Sequence, residues 1–213
     1  MTDTILAYGM PFEKMRVALR YWLIGKGYFK ALKAMEFAAA YHTGVRKDGT
    51  PEFSHQIWQA QYLRTIAGGL LFPEETFCTI FLHDTPEDYP VPISLLTDRF
   101  GVEVSAPVDK MSKVLLGVKK SSAVYFEQLA TCPVASVAKG IDRVHNHGSM
   151  LNAFTPAKMA SYMEETDADI LPMLKKARRS FPEQEAIYEN IRMHLMGQMM
   201  FLRAYIEQTQ TNT

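Results

Sequence analysis

The chain has 213 residues, of which 47% are hydrophobic and 22% are charged, a composition that suits the core of one globular domain. Its 23 Lys and Arg residues balance its 23 Asp and Glu residues, so no overall field favours nucleic acid or an anionic membrane as a partner. No apolar run approaches the roughly 18 residues of a membrane-spanning helix, and no secretory leader is evident. We therefore predict a soluble, cytoplasmic protein with no nucleic-acid or membrane partner.

Apolar residues recur at helical spacing along most of the chain, whereas the alternating runs typical of strands are scarce. We predict an all-α fold of about eight to ten helices. A first helix follows Pro11 and ends near Gly27, and Pro172 is a point at which a later helix could be interrupted. The other predicted helical segments are approximately 31–42, 53–66, 77–82, 93–99, 102–111, 123–129, a helix that begins at Pro133 and contains Asp142, 156–179 and 183–206.

Four candidate metal ligands stand out in this helical pattern. His55 begins one predicted helix, and the adjacent His83 and Asp84 end another. Asp142 lies inside a third predicted helix. Two imidazoles and two carboxylates suit Mn²⁺, Fe²⁺ or Zn²⁺ better than Ca²⁺, and the set lacks the thiolates of a structural zinc site. Because adjacent helical residues point about 100° apart, a shared ion must lie off the helix end, and His55 and Asp142 would close its far side.

Two further carboxylates follow the His-Asp pair. Glu87 and Asp88 come four residues after His83 and Asp84, which is about one helical turn. Beside a bound cation, such acids could hold and deprotonate its water, which is a hydrolytic arrangement. The alternative is that they only cap or solvate the turn before Pro90. The metal pair upstream favours the catalytic interpretation.

Cationic and amide side chains offer candidate contacts for a phosphorylated substrate. Lys139 and Asn146 share the helical face of Asp142, where they could donate to a phosphate or a sugar. Arg46 and Lys47 lie on a predicted loop, where a guanidinium could pair with phosphate or stack on a base. These local charges favour a phosphate-bearing ligand although the chain as a whole is neutral.

The remaining four histidines are not assigned to the site. An isolated histidine is more often a surface or packing residue than a ligand, and we interpret His42, His147 and His194 in that way. His145 lies three residues after Asp142, and we interpret it as a helix-packing residue.

Three segments of the sequence resemble the motifs of a known family. RKDGTPEFSH resembles R-K-x-G-x-P-Y-I-x-H, FLHDTPED resembles L-L-H-D-x-x-E-D, and KGIDRVHNHGS resembles K-x-A-D-R-x-H-N-x-x-T. These are signatures of the hydrolase half of the RelA/SpoT proteins and of the stand-alone small alarmone hydrolases. Order and spacing agree over roughly residues 31–149. The chain is therefore similar to HD-domain hydrolases of guanosine tetraphosphate.

The resemblance implies an HD-domain helical bundle that holds one Mn²⁺ ion, or another divalent transition metal, and acts on a guanine nucleotide. The implied reaction removes the 3′-pyrophosphate of guanosine tetra- or pentaphosphate and leaves GDP or GTP plus pyrophosphate. Glu87 and Asp88 would orient or activate the nucleophilic water. The implied metal ligands are His55, His83, Asp84 and Asp142, and the implied substrate contacts are Arg46 and Lys47 against guanine, Asn146, and Ser149 in place of the family's Thr. Lys139 is added to the predicted substrate-binding residues because it shares the helical face of Asp142.

The sequence departs from the family pattern close to the predicted site. The family's Tyr-Ile pair reads Glu52-Phe53, its His-Pro reads His55-Gln56, and the Ala before the metal Asp reads Ile141. An acid at Glu52 near the nucleotide could alter the affinity or the choice of substrate.

The resemblance also suggests a division of the chain into domains. Residues 1–28 precede the family's usual start, and we predict that they form a helical extension packed on the domain. The hydrolase domain would cover 29–207, and the polar residues 208–213 would form a frayed tail. The sequence does not indicate an oligomeric state.

Two other functions remain open for the same residues. The site could act on a different nucleotide, for example by removing the 2′-phosphate of NADPH, and assays of free phosphate against pyrophosphate would distinguish this activity. The chain could also be a catalytically idle nucleotide-binding module. The presence of Glu87 and Asp88 argues against an idle site, because such a site needs no water-activating acids.

Overall fold

The computed structural model describes residues 11–47, 49–115 and 117–211, and over these ranges the predicted all-α class is confirmed. No helix within these ranges combines the length and the apolarity needed to cross a membrane. The elements in chain order are α1 (Phe12–Lys26), α2 (Phe29–Tyr41), α3 (Ser54–Ile66), α4 (Pro73–Leu82), α5 (Thr85–Asp88), α6 (Ile93–Phe100), α7 (Val102–Met111), β1 (Val114–Leu115), β2 (Val118–Lys119), α8 (Ser122–Ala130), α9 (Pro133–Ser149), α10 (Pro156–Glu165), α11 (Leu171–Ser180) and α12 (Glu185–Thr211).

Parts of three predictions fall outside the described residues. These parts are residues 1–10 of the N-terminal extension, Asp48 of the predicted loop and residues 212–213 of the tail. Helix α12 continues to Thr211, so residues 208–211 of the predicted tail are helical.

Two local features were not predicted from the sequence. Strands β1 and β2 form a short antiparallel hairpin in which Val114 pairs with Lys119. A π-helical turn, Thr166–Ile170, separates α10 from α11 within the segment predicted as one helix. Pro172, the predicted point of interruption, follows this turn closely. Because proline lacks an N–H and its ring crowds the carbonyl four residues earlier, a regular α-helix cannot run through this segment unchanged.

Helix α1 belongs to the main hydrophobic core. Met15, Leu19 and Leu23 are fully buried and repeat at helical spacing. Gly27 ends the helix in the left-handed region with φ of 73°, and the N–H of Tyr28 donates to the carbonyl of Leu23. The first described helix therefore packs on the same core as the helices that follow it.

Helix α4 lies at the centre of the bundle. All of its residues from Thr76 to Leu82 are buried, and it contacts α2, α3, α7 and α9. A helix that is apolar on all sides is typical of a core position. Since His83 directly follows α4, the packing of this helix determines where the His-Asp pair lies.

Helix α9 approaches α11 and α12 closely at Gly140. A Cβ atom at this position would lie 2.8 Å from Cγ2 of Ile191 and 3.1 Å from Cδ2 of Leu174. Both neighbours are buried in the core, so neither can move aside freely. Because Asp142 lies two residues further along α9, the same contact helps to set its depth.

We expect Gly140→Ala to lower the free energy of unfolding by about 1–3 kcal/mol, because the added methyl group overpacks a dense contact. Gly148→Ala in the same helix is the matched control, since its Cβ would meet only the flexible end of Gln198, at 3.4 Å, and alanine favours helix. Urea unfolding followed by circular dichroism measures both variants. An unchanged or increased stability of Gly140→Ala would contradict the close approach of these helices.

A buried arginine joins α9 to α10. The side chain of Arg143 is only 4% exposed, and it pairs with Glu165 and donates to the carbonyl of Tyr162 at 3.1 Å. Glu165 also accepts from Nζ of Lys113 at 3.0 Å. Burial by itself would raise the pKa of Glu165, but Arg143 and Lys113 outweigh it and lower the pKa to about 2.

Glu165→Gln should lower the free energy of unfolding at pH 7 by about 3 kcal/mol, because the buried guanidinium loses its counterion. The depressed pKa means that ionised Glu165 stabilises the fold above its ordinary pKa of 4.5, and this contribution is lost as the pH falls toward 2. The difference in the free energy of unfolding between wild type and variant should therefore become smaller as the pH falls from 4.5 toward 2. Urea unfolding at a series of pH values measures this difference.

The matched control for this substitution is Glu127→Gln. Glu127 pairs with Lys176 while both side chains are more than half exposed, so a change below about 1 kcal/mol is expected. A stability gap for Glu165→Gln that stays constant from pH 7 down to pH 3 would argue against the ion pair with Arg143.

Candidate metal centre

Three helices deliver the predicted metal ligands to one place. His55 lies in the first turn of α3, and Asp142 lies inside α9. His83 directly follows α4, and Asp84 precedes α5. Helices α3, α4 and α9 pack against one another, so residues far apart in the sequence become neighbours.

The nitrogen and oxygen atoms of these side chains lie about as far apart as ligands that surround a single metal ion. Nε2 of His55 lies 3.1 Å from Oδ1 of Asp142 and 3.6 Å from Oδ2 of Asp84. Nε2 of His83 lies 3.1 Å from Oδ1 of Asp84 and 3.8 Å from Oδ1 of Asp142. Ligands about 2.1 Å from one ion lie roughly 3–3.5 Å from one another. The ligand atoms of His55, His83 and Asp84 all lie within 4.8 Å of one another, so this cluster could bind a metal ion.

The hydrogen bonding of His83 supports its use as a ligand. Its Nδ1 lies 2.9 Å from the carbonyl oxygen of Ile80 and donates to it, so Nε2 is the ring nitrogen that can bind a cation once its proton has left. Nε2 is buried, and none of the described residues forms a hydrogen bond with it. Burial by itself would lower the pKa of His83, but Asp84 and Asp142 outweigh it and raise the pKa to about 9. The same carboxylates that attract a proton here would attract a divalent cation.

The second imidazole is held by another histidine. Nδ1 of His55 lies 2.8 Å from Nδ1 of His145, and the His145 ring packs edge-on against Trp58. Burial lowers the pKa of His55 and lowers that of His145 strongly. The structure thus places His145 against the predicted ligand His55, a contact that its interpretation as a helix-packing residue did not include. Its position three residues after Asp142, on the same helical face, was the available signal.

Two of the predicted substrate contacts are bound to the carboxylate of Asp142. Nζ of Lys139 lies 2.8 Å from its Oδ2, and Nδ2 of Asn146 lies 3.1 Å from its Oδ1. Burial would raise the pKa of Asp142, but the ammonium group of Lys139 and the two imidazoles lower it well below its ordinary value. Asp142 is therefore ionised and surrounded by positive charge and donors.

Two buried glutamines of α3, Gln56 and Gln59, also border the cluster, and no motif in the sequence indicates a role for them. Nε2 of Gln56 donates to Oδ2 of Asp84 at 3.1 Å. Nε2 of Gln59 lies 3.3 Å from Oδ1 of Asp142 and 2.6 Å from Nε2 of His55. Both side chains are polar groups on a helix whose neighbouring residues are buried. Such groups normally have a specific partner, and this was the signal that could have identified them.

The two predicted catalytic acids differ in their surroundings. Oε1 of Glu87 accepts from the backbone N–H groups of Lys113 and Val114, at 2.6 and 2.8 Å, so this acid anchors the start of the β-hairpin. Burial, Asp84 and Glu87 raise the pKa of Asp88 to about 6. Asp88 thus has the perturbed pKa expected of a proton acceptor near neutral pH, whereas Glu87 has a structural contact that the sequence did not indicate.

The predicted substrate-binding residues divide between two cavities, and two residues that line the larger one, Lys139 and Asn146, also bond to Asp142. The cavity of about 460 Å³ is lined by Lys139 and Asn146, together with Glu87, Lys113, Tyr125, Arg143, Ser161, Tyr162 and Glu165. The cavity of about 380 Å³ is lined by Arg46, Lys47 and Ser149, together with Val45, Glu52, Ala153, Phe154 and Lys158. Asn146 and Ser149 are one turn apart on α9, so this end of the helix connects the two cavities.

The loop before α3 is closed by Glu52. Its Oε2 accepts from the N–H of Gly44 at 2.9 Å, and its Oε1 accepts from the hydroxyl of Tyr89 at 2.9 Å. Burial would raise the pKa of Glu52, but these two hydrogen bonds and His42 lower it. The acid therefore remains charged, and it holds the loop that carries Arg46 and Lys47.

Fold and site together define an all-α protein with a mixed imidazole and carboxylate cluster that could bind a metal ion.

No family model matches the chain. It is 30% identical over 148 residues to a "Probable GTP pyrophosphokinase" of Mycobacterium leprae, an alignment that covers 66% of this chain and 18% of the relative. It is 27% identical over 147 residues to a "Guanosine-3′,5′-bis(diphosphate) 3′-pyrophosphohydrolase" of Spiroplasma citri, with coverage of 64% and 19%.

A third relative has a similar extent of likeness. It is a "GTP pyrophosphokinase" of Myxococcus xanthus, 30% identical over 146 residues, with coverage of 63% of this chain and 19% of the relative. The chain therefore spans about a fifth of the length of these curated relatives. The resemblance to the RelA/SpoT family that the motifs indicate is confirmed by these relatives.

Metal binding can be measured without any substrate. Addition of Mn²⁺ should raise the melting temperature, because a ligand at 100 times its Kd stabilises the native state by about 2.7 kcal/mol. His83→Ala should abolish most of this shift, since it removes one imidazole of the cluster. His194→Ala is the matched control, because His194 lies on the surface of α12 and packs on Tyr62. If Mn²⁺ raised the melting temperature of His83→Ala as much as that of the wild type, the metal would bind elsewhere.

Proposed function

We propose that the chain is a metal-dependent hydrolase that removes the 3′-pyrophosphate of guanosine tetra- and pentaphosphate. The observation that carries the proposal is the meeting of His55, His83 and Asp84 beside Asp142. Lys139 and Asn146, which bond to Asp142, also line a cavity. One relative carries the name of this hydrolase, while two carry the name of the pyrophosphokinase. The cluster favours the hydrolytic direction, because imidazoles and carboxylates around one point, with the carboxyl group of Asp88 nearby in sequence, suit a metal ion that activates water.

The proposed metal ligands are His55, His83, Asp84 and Asp142, and Mn²⁺ is the proposed ion, since the mixed nitrogen and oxygen donors suit it. When bound, such a cation supplies Lewis-acid activation of water and of a phosphoryl oxygen. The ionised carboxylate of Asp142 and the fixed tautomer of His83 prepare the site for a positive charge.

Asp88 is the proposed proton acceptor. Its pKa of about 6 leaves the carboxylate mostly ionised at neutral pH but still basic enough to take a proton from a nucleophilic water. Glu87 is proposed to act beside it, with one carboxylate oxygen on the hairpin and the other available at the cavity wall. The water would be held between these acids and the phosphorus atom of the substrate.

The two cavities suggest how a guanine nucleotide would lie. Lys139 and Asn146 would face the phosphates or the sugar from the larger cavity. Arg46 and Lys47 would lie against the base in the smaller cavity, where Phe154 offers an aromatic face and Ser149 a hydroxyl. A nucleotide that spanned both cavities would pass the end of α9 beside the metal ligands.

A second candidate is hydrolysis of another nucleotide at the same site. The observation in its favour is Glu52, whose charged carboxylate lines the cavity proposed for the base. A negative charge there disfavours a phosphate in the smaller cavity and changes the pattern of acceptors that a base would meet. A panel that includes NADPH, assayed for phosphate and for pyrophosphate, separates the two activities.

The Mn²⁺-loaded protein should release pyrophosphate from guanosine tetraphosphate, and Asp88→Asn should lower kcat by about 10²–10⁴-fold, because it removes the proton acceptor. The Mn²⁺-dependent rise in melting temperature should remain in this variant, which shows that the site is intact. Pyrophosphate is measured with a coupled colorimetric assay. Asp98→Asn on α6, away from both cavities, is the control. A Mn²⁺-loaded protein that leaves the alarmone intact while a known hydrolase consumes it would overturn the proposal.

A further inference from the structure

Gln59 has an unusual position for a glutamine. It lies one turn after His55 on α3 and is 0% exposed. Its amide group faces the cluster, with Nε2 at 2.6 Å from Nε2 of His55 and 3.3 Å from Oδ1 of Asp142. None of the described residues donates a hydrogen bond to its Oε1, which is also buried. The end of the amide that faces the cluster is thus the end with close neighbours.

The amide end of Gln59 lies at the distances that separate two ligands of one ion. Nε2 of Gln59 lies 2.6 Å from Nε2 of His55 and 3.3 Å from Oδ1 of Asp142. These two atoms of His55 and Asp142 are themselves 3.1 Å apart, so the three atoms have similar spacings. Groups bound about 2.2 Å from the same cation and about 90° apart lie roughly 3 Å from each other. The amide therefore occupies a place in the same shell as the imidazole and the carboxylate.

The hydrogen bonding of His55 determines which amide atom can face a cation. An imidazole nitrogen that binds a metal uses its lone pair, so Nε2 of His55 cannot then accept a hydrogen bond from the NH₂ group of Gln59. A rotation of about 180° around the terminal torsion of Gln59 exchanges Nε2 and Oε1. The carbonyl oxygen would then point to the shared centre, where a cation is its natural partner.

We propose that Gln59 supplies Oε1 as a further ligand to the divalent cation held by His55, His83, Asp84 and Asp142. This inference rests on the metal site of the proposed function. It gives five protein donors, of which three are oxygen groups. A neutral amide oxygen in a shell of more than four ligands suits Mn²⁺, whereas Zn²⁺ prefers four ligands and binds imidazole and carboxylate well without the amide. Gln59 would thus shift the selectivity of the site from Zn²⁺ toward Mn²⁺.

Gln56 provides an internal comparison. It lies on the same helix, is 1% exposed and also has a buried Oε1 without a partner among the described residues. Its Nε2 donates to Oδ2 of Asp84 at 3.1 Å, and it has no recorded bond to either ligand histidine. A group that bonds to a single ligand carboxylate orients that carboxylate. Its loss should weaken every metal to a similar extent.

The test measures binding of Mn²⁺ and of Zn²⁺ by isothermal titration, without nucleotide, to the metal-free full chain. Gln59→Leu should raise the Kd for Mn²⁺ by about 10–100-fold while it raises the Kd for Zn²⁺ by less than about threefold. Gln59→Glu should keep Mn²⁺ affinity at or above that of the wild type, because it retains an oxygen ligand. Gln56→Leu should leave the ratio of the two Kd values unchanged.

Equal weakening of both metals by Gln59→Leu would overturn the inference and leave Gln59 as a donor that orients Asp142. A crystal structure of the wild-type protein with Mn²⁺ would also show whether Gln59 binds the ion, and this test does not depend on whether a variant folds. Oε1 should lie about 2.2 Å from the ion, and an ion faced by Nε2, or more than about 3 Å from Oε1, would refute the assignment.

The outcome is separable from that of the proposed function. If Gln59→Leu weakens Mn²⁺ binding selectively but guanosine tetraphosphate is not hydrolysed, the proposed reaction is wrong and the assignment of Gln59 as a ligand stands. If the alarmone is hydrolysed and Gln59→Leu keeps the ratio of Kd values, only the ligand assignment fails.

Discussion

The carboxylate of Asp142 is the group on which the arrangement of the site depends. It is buried inside α9, where an unpaired negative charge would be very costly. The ammonium group of Lys139 lies at 2.8 Å, Nε2 of His55 lies at 3.1 Å, and the amide of Asn146 adds a hydrogen bond. Because Lys139 and Asn146 come from the same helix, while His55 comes from α3, the charge can be compensated fully only when α3 packs against α9.

The scaffold around this carboxylate is rigid where the site requires it. Helix α4 is buried along most of its length and ends at Leu82, directly before His83. Gly140 lets α9 lie close to α11 and α12, and Arg143 ties α9 to Glu165 at the end of α10. The β-hairpin is attached to α5 through Glu87. The proposed metal ligands thus lie on or next to helices with independent contacts to the core, which is the condition for a preorganised site.

Much of the candidate site could be predicted from motifs and helical spacing. His55, His83 and Asp84 were selected as ligands by residue type and position, and the structure brings them together. The contacts of His145, Gln56 and Gln59 were missed, because a polar residue at a buried helical position indicates that it has a partner but does not indicate which residue that partner is. The contact of Glu87 with the hairpin was missed for a related reason. Its partners are backbone N–H groups of the hairpin, which carry no sequence signal.

The sequence by itself determined the all-α class, most helix positions and the residue types of the metal cluster, because helical periodicity and ligand chemistry are local properties. Only the tertiary structure decided which side chains surround Asp142, how the substrate-binding residues divide between two cavities and which way Gln59 faces. These features depend on the angles and distances between helices that are remote in the chain. Such distances are set by the packing of the whole core, to which every helix contributes.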